Sequence, residues 1–219
     1  MLIVGIMSFL VNSNTEEQSS ESFLISYVEH EGLIKYYVPL LEQAYEKIGI
    51  SPTFVLVNDQ RALRLLDAGQ LDADTAKSLE SIDQYSNVIY LPEPISKIEV
   101  YFICQAELVC DKSVLQQEYK SLAVIGAQEF YSELLVGTKI QLVELTSFDV
   151  VFRMFEQQKV DVAIVVLDAY TKPKLERYPN HYKITEKLGY HLLHKEHANL
   201  TVPLSRAIQE TLKENNFVK

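Results

Sequence analysis

Apolar positions along this chain follow two spacings that take turns. Short apolar runs at residues 23–28 and 54–57, and a third beginning at Leu71, read as strands. Between the first two, Ile34, Tyr37, Val38, Leu41, Ala44, Tyr45 and Ile48 recur at i, i+3, i+4 and i+7. That spacing places them on one face of a helix, which Gly49 ends. Between the second and third runs, Asn58 or Asp59 can cap a shorter helix that carries Leu63 and Leu66 and closes at Gly69. Strands alternating with helices make a parallel sheet covered by those helices.

The pattern starts again past the middle of the chain. A strand at 122–125 ends at Gly126, a helix covers roughly 128–136, and the next strand occupies 140–145. Thr146 or Ser147 caps a helix whose Phe148, Val151, Phe152 and Phe155 share a face, and 160–167 is a nearly continuous apolar strand. The two halves also match locally. Gly69-Gln70-Leu71-Asp72-Ala73 and Gln158-Lys159-Val160-Asp161-Val162 each lead from a helix end into a strand through an apolar residue and an Asp. Two copies of one unit predict two lobes of one design.

Between the units, 88–104 is strand-like and interrupted by Pro92 and Pro94. Later, Tyr178-Pro179-Asn180 marks a turn, 188–193 forms a strand, and a last helix starts near Pro203 with Leu204, Ala207, Ile208 and Thr211 on one face. One late strand and one helix must pack on an existing lobe. A return to the first lobe makes the chain cross twice, near 100–106 and 184–192, and two crossings make a hinge. The predicted division is 21–100 with 188–219 for one lobe and 101–187 for the other.

Composition narrows the function classes. The 219 residues, 47% of them hydrophobic, suffice to bury a core. A net charge of −10 disfavours nucleic acid and anionic membrane surfaces, which call for clustered Lys and Arg. No apolar run is long enough to span a bilayer. Residues 2–11 form an apolar stretch of signal-peptide length, followed by a polar stretch to Ser22, with no Lys or Arg before it. Residues 1–20 are therefore expected to be a secretory signal and linker that sends the protein to the periplasm. The competing reading is a first strand. Cys104 and Cys110, with five residues between them, can close a hairpin disulfide in an oxidising compartment, whereas in a cytosol they would be two buried thiols.

From Ser22 onward the chain resembles the type 2 periplasmic binding protein fold, and within it the extracellular solute-binding family 3 that includes amino-acid receptors of ABC transporters. The resemblance is carried by Leu41-Glu42-Gln43-Ala44-Tyr45-Glu46-Lys47-Ile48-Gly49-Ile50, by Arg61-Ala62-Leu63-Arg64-Leu65-Leu66 running into Gly69-Gln70-Leu71-Asp72-Ala73-Asp74, and by Tyr85-Ser86-Asn87 and Pro92-Glu93-Pro94-Ile95. Gln158-Lys159-Val160-Asp161-Val162-Ala163-Ile164 carries it in the second half. The family implies two lobes, each a mainly parallel sheet flanked by helices, closing on a small solute and presenting a surface to an ABC permease or a sensor kinase. In its amino-acid receptors an Arg just after the third strand clamps the ligand α-carboxylate, and here Lys77 stands in that neighbourhood. The Asp that binds the α-amino group falls where this chain has Val166, with Asp168 two residues further on. Both halves of the clamp are altered, which points away from an α-amino acid.

Ligands of open α/β folds sit at the carboxyl ends of strands. That rule, with the resemblance, selects Tyr27, Glu29, Arg61, Thr75, Lys77, Gln128, Ser147 and Asp168 as ligand-binding candidates, with His30 beside them. Arg61, in the first turn of a helix, opposes the helix dipole, which an anionic ligand would explain as well as pairing with Asp59 or Asp67 would. His191, His194 and His197 form an HxxHxxH run that reads either as a metal site or as solvated histidines at a strand end. No nucleophile elbow, dinucleotide fingerprint or phosphate-binding loop is present, and no cofactor is implied. The expectation is an exported receptor for a small polar or anionic solute, without catalysis. The alternatives are a dehydratase-type enzyme for small carboxylic acids and a ligand-free interaction or sensory module on the same fold.

Overall fold

The computed structural model describes residues 22–125 and 132–215. The signal-like segment 1–20 and the glycine turn with Gln128 lie outside the described residues.

In the first half, β1 (Phe23–Tyr27) lies between β2 (Pro52–Leu56) and β3 (Ala73–Lys77), parallel to both. The connections are α1 (Val38–Lys47), entered through a π-helical turn at Leu33–Tyr37, and α2 (Asp59–Asp67). The Asn58 side chain caps α2 by accepting the Arg61 N–H at 3.0 Å, and Gly69 ends it with φ +68°. β4 (Val88–Tyr90) follows, and then β5 (Ser96–Cys104) opens the second half.

The second half repeats the design. β6 (Ser121–Ile125) runs parallel to β7 (Gln141–Leu145) on one side and β8 (Val162–Asp168) on the other, with α3 (Ser132–Leu135) and α4 (Phe148–Glu156) between them. The sequence repeat has a physical meaning. Asp72 Oδ2 accepts the N–H of Leu24 at the start of β1 (2.7 Å), and Asp161 Oδ2 accepts the N–H of Ser121 at the start of β6 (2.9 Å). Each Asp thus satisfies an otherwise unpaired strand-start donor. The turns before them match too, since Gln158 adopts a left-handed φ of +55° where the first half has Gly69.

β9 (His181–His194) joins the halves. Its first part pairs antiparallel with β5 as far as Gly189, and from Tyr190 it lies between β3 and β4. β5 pairs with β8 from Ile98 onward. Each half is therefore a mixed sheet, parallel in its outer strands and antiparallel where β5 or β9 enters, and hydrogen bonding runs through nine strands. The final helix α5 (Thr201–Glu214) packs on α1 over the first sheet, burying Leu204, Ala207 and Ile208 against Leu40, Leu41 and Ala44. α2 covers the opposite face through Leu63 and Leu66. The second sheet is likewise buried on both faces, by Val100, Phe102 and Ile164 on one and Ile103, Val151 and Phe155 on the other. Cys104 and Cys110 are disulfide-bonded with Cα atoms 5.7 Å apart, which closes the loop at the end of β5.

The helix predicted to begin at Ile34 differs in detail. A π-turn inserts extra backbone, so the 3.6-residue spacing slips and Ile34, expected on the buried face, is 45% exposed. No helix of the described residues is long and apolar enough to cross a membrane.

Candidate functional site

The strands of both halves send their carboxyl ends toward one gap. There the exit of β1 (Val28, His30), the π-turn (Tyr37) and the end of β3 (Lys77, Ser78) face Phe148, Val166 and Asp168 of the second half. Ser96 and Gly189, where β9 passes from one sheet to the other, form the floor. The cavity, open to solvent on one side, is about 100 Å³. A single water needs only about 10–15 Å³ on this kind of measure, so there is room for several waters or for a small solute.

Asp168, the last residue of β8, is buried. Its Oδ1 accepts hydrogen bonds from Tyr170 N (3.0 Å), Thr171 N (2.8 Å) and Thr171 Oγ1 (2.8 Å), while its Oδ2 has no hydrogen-bond partner. Buried polar groups are normally paired, so a carboxylate oxygen enclosed by protein without a donor is informative. Opposite it lies Gly32, packed so closely that a Cβ there would fall 1.6 Å from Oδ2.

His30 comes from the other sheet. Its Nε2–H donates to the Val166 carbonyl at 3.3 Å, its Nδ1 sits 3.8 Å from Asp168 Oδ2, and its ring meets Phe148 edge-on at 5.1 Å. Burial lowers the pKa of this imidazole and outweighs the opposing pull of Asp168, so the ring is neutral at pH 7. With Nε2 donating, Nδ1 presents a lone pair toward the carboxylate. The Tyr37 hydroxyl is also buried and lacks a partner, and burial, reinforced by the Asp168 charge, raises its pKa.

Lys77 is buried and its ammonium lies 3.3 Å from Asp74 Oδ1. Asp74 in turn accepts from Ser26 Oγ at 2.6 Å and from Ala76 N at 3.2 Å. The lysine and this carboxylate therefore form a neutral unit within the first half. Further out, Tyr36 stacks on Tyr170 with centroids 3.4 Å apart, and Glu31 pairs with Lys174 across the gap. Hydrogen bonds from Lys174 and Lys35 hold the Glu31 carboxyl at about 2.

Of the residues expected from sequence, the structure brings Lys77 and Asp168 to the cavity. Arg61 does not reach it. It is exposed on α2, where its main-chain N–H donates to Asn58 Oδ1, as that of any non-proline residue would. Thr75 is buried with its hydroxyl donated to Ser26 O at 2.7 Å, which ties β3 to β1 rather than facing a solute. Tyr27 ends β1 half-buried, outside the cavity lining. Glu29 and Ser147 lie outside that lining and share a neighbouring depression of about 230 Å³ with Phe148 and Asp149. The three histidines of the run do not converge, and of them His197 is partly exposed. His191 is fully buried, accepting from Tyr45 Oη (2.7 Å) and donating to Thr75 O (3.1 Å), and burial pushes its pKa down to about 4. His194 is buried beside Gly69, and His197 pairs with Asp72 at 2.6 Å. Among the described residues no cluster of three or more His, Cys, Asp or Glu could hold a metal.

The helical spacing of Tyr37 marks it as core, which its burial satisfies, although the residue also lines the cavity. His30 stood in the right loop, but nothing local distinguished it from Glu29. Ser96, Gly189 and Gly32 carry no sequence signal of their own, because their roles depend on which strand crosses which.

No family model and no curated protein sequence matches this chain. Solved structures do share its fold. The arginine-bound form of truncated ArgBP from T. maritima superposes with a TM-score of 0.68 at 13% identity, over 86% of this chain and 95% of that one. The substrate binding protein of an amino acid ABC transporter gives a TM-score of 0.68 at 13% identity, over 88% and 93% of the two chains. A protein from Bacillus subtilis gives 0.60 at 16% identity, over 89% and 86%. The architecture is thus the two-lobed type 2 periplasmic binding protein fold, shared with these binding proteins.

Proposed function

We propose that this chain is an exported solute-binding receptor that holds a small polar solute in the gap between its two sheets. The observation that carries the reading is the cavity itself. It lies where both sets of strand ends converge, and both halves line it, with His30, Tyr37 and Lys77 from the first and Phe148, Val166 and Asp168 from the second. The division into 21–100 with 188–219 and 101–187 makes β5 and β9 the hinge, and closure presents a joint surface to an ABC permease or a sensor kinase. The apolar segment at residues 2–11 and the Cys104–Cys110 disulfide both fit delivery to the periplasm.

An anionic solute has less support than a neutral or cationic one, because Asp74 already neutralises Lys77 and Arg61 lies elsewhere. A dehydratase would favour a cleft carboxylate of raised pKa. The described carboxylates that shift clearly, Glu31, Glu80, Glu99, Asp111, Asp161 and Glu186, all shift down. A ligand-free module is expected to show a filled or apolar cleft; this cleft is not filled, and its walls are largely apolar.

Thermal unfolding against a panel of amino acids, amines, organic acids and short peptides tests the proposal. A solute at a hundred times its Kd adds about 2.7 kcal/mol, which in a chain of this size raises the midpoint by roughly 5–10 °C. Absence of a shift across the panel would remove the receptor reading.

A further inference from the structure

Among the described residues lining the cavity, none has a charge free for a solute. Asp168 gives Oδ1 to three donors, and its Oδ2 is enclosed by protein against Gly32. Lys77 is buried and held 3.3 Å from Asp74, to which Ser26 Oγ and Ala76 N also donate. His30 has its Nε2–H on the Val166 carbonyl, and burial keeps the ring neutral at pH 7. We infer that the cavity takes an uncharged solute, a compact ring or branched chain with one hydroxyl, carbonyl or uncharged amino group, and disfavours the same body bearing a charge. The inference deepens the receptor reading and rests on it.

Hydroxyls supply the polarity instead. Ser78 and Ser81 lie in the turn that follows β3, and Ser96 opens β5. The Ser78 and Ser81 hydroxyls are 3.1 Å apart, one donating to the other. Ser96 Oγ has no hydrogen-bond partner among the described residues and, unlike Asp168 Oδ2, is not enclosed. It stands over Gly189, where a Cβ would fall 2.2 Å away, so the glycine of the β9 crossing keeps a place for this hydroxyl. A serine hydroxyl rotates to donate or to accept, and so matches an alcohol, a carbonyl or an uncharged amine. It carries no charge with which to replace the water that an ion loses on entry.

The remaining walls, Val28, Leu33, Ile98, Phe148, Val166 and Leu188, are apolar. A closed apolar cavity of about 150 Å³ takes a benzene. This one, about 100 Å³ and open on one side, suits a body of about five or six carbons. A charge on that body would have to draw Lys77 from Asp74, or Asp168 from Thr171, or else lie buried without a partner.

NMR titration and thermal unfolding of the whole chain near neutral pH with aniline, cyclohexanol, cyclohexylamine and benzoate test this. All four carry a six-membered ring. The first two are uncharged at that pH, the third is a cation and the fourth an anion. Aniline belongs among the amines of the broad solute panel and should give a shift there. Aniline and cyclohexanol are expected to bind, moving the resonances of residues 77–81, 96–98, 148 and 188–189 and raising the unfolding midpoint. Cyclohexylamine and benzoate should be at least about 30-fold weaker, the ratio that ~2 kcal/mol of uncompensated charge produces. Ser96→Ala removes a hydroxyl without a partner in the protein, so it should fold normally and bind both uncharged probes about 5-fold less tightly. A smaller gap for either charged probe, or unchanged binding of both uncharged probes by Ser96→Ala, overturns the assignment while the receptor reading stands. If none of the four probes binds, the assignment is overturned as well, and the rest of the solute panel decides the receptor reading separately.

Discussion

Replacing Gly32 with alanine will hold the two halves apart and weaken solute binding by roughly ten- to hundred-fold, the equivalent of about 1–3 kcal/mol of overpacking. Gly32 has φ −62° and ψ −41°, a conformation alanine adopts with ease, so the local backbone loses nothing. The cost arises across the gap. A Cβ at position 32 would stand 1.6 Å from Asp168 Oδ2, 2.5 Å from Cγ and 2.8 Å from Oδ1. Asp168 cannot swing aside cheaply, because Oδ1 is tied by three donors from Tyr170 and Thr171. Separation of the sheets about the β5 and β9 crossings is the least costly relief. Small-angle scattering should therefore show a larger radius of gyration for the variant, with its circular dichroism unchanged. A variant with wild-type radius and wild-type affinity would show that Asp168 and Gly32 do not meet when solute binds.

Lys77→Met is expected to destabilise the protein by about 3 kcal/mol, since removing one partner of a buried pair strands the other charge. Asp74 would keep its contacts with Ser26 Oγ and Ala76 N but lose its counter-ion. Adding Asp74→Asn should recover most of the loss, because the double variant buries no charge at this position. Denaturant unfolding of the single and double variants measures both quantities. If the single variant instead lost under about 1 kcal/mol while binding of a carboxylate solute collapsed, Lys77 would be the anion holder that its sequence position resembles.

Much of the architecture was legible because it follows from spacing. The strand–helix alternation of each half appears in the structure as β2-β1-β3 and β7-β6-β8. The Asp72 and Asp161 repeat proved to be one device used twice, a carboxylate accepting the first N–H of the neighbouring parallel strand. Other features were readable but overlooked. Only the last part of β9 was expected as a strand, although His181, Tyr182, Lys183 and Ile184 alternate with period two, Tyr182 and Ile184 packing on the second core. The π-turn at Leu33–Tyr37 was not readable, since its extra residue per turn leaves no mark in a pattern judged against 3.6.

The candidate site divides in the same way. Lys77 and Asp168 were reached through the family resemblance, and both border the cavity. What sequence could not show was that Lys77 is matched to Asp74 three residues earlier, because in a regular strand positions i and i+3 point to opposite faces. A register irregularity between Asp74 and Lys77 is what lets the two meet. Arg61 puts a charge at a helix start, but its side chain is exposed and lies outside the cavity lining. As a linear run the histidines suggest one shared role, but His191, His194 and His197 each find a different neighbour.

Hydrogen exchange, followed peptide by peptide with and without a solute that raises the unfolding midpoint, examines the shared gap most directly. Binding there must slow exchange together in residues 28–37 of the first sheet's loop and residues 166–171 at the end of β8. Protection confined to one sheet, or falling outside both segments, would contradict a solute held between the halves.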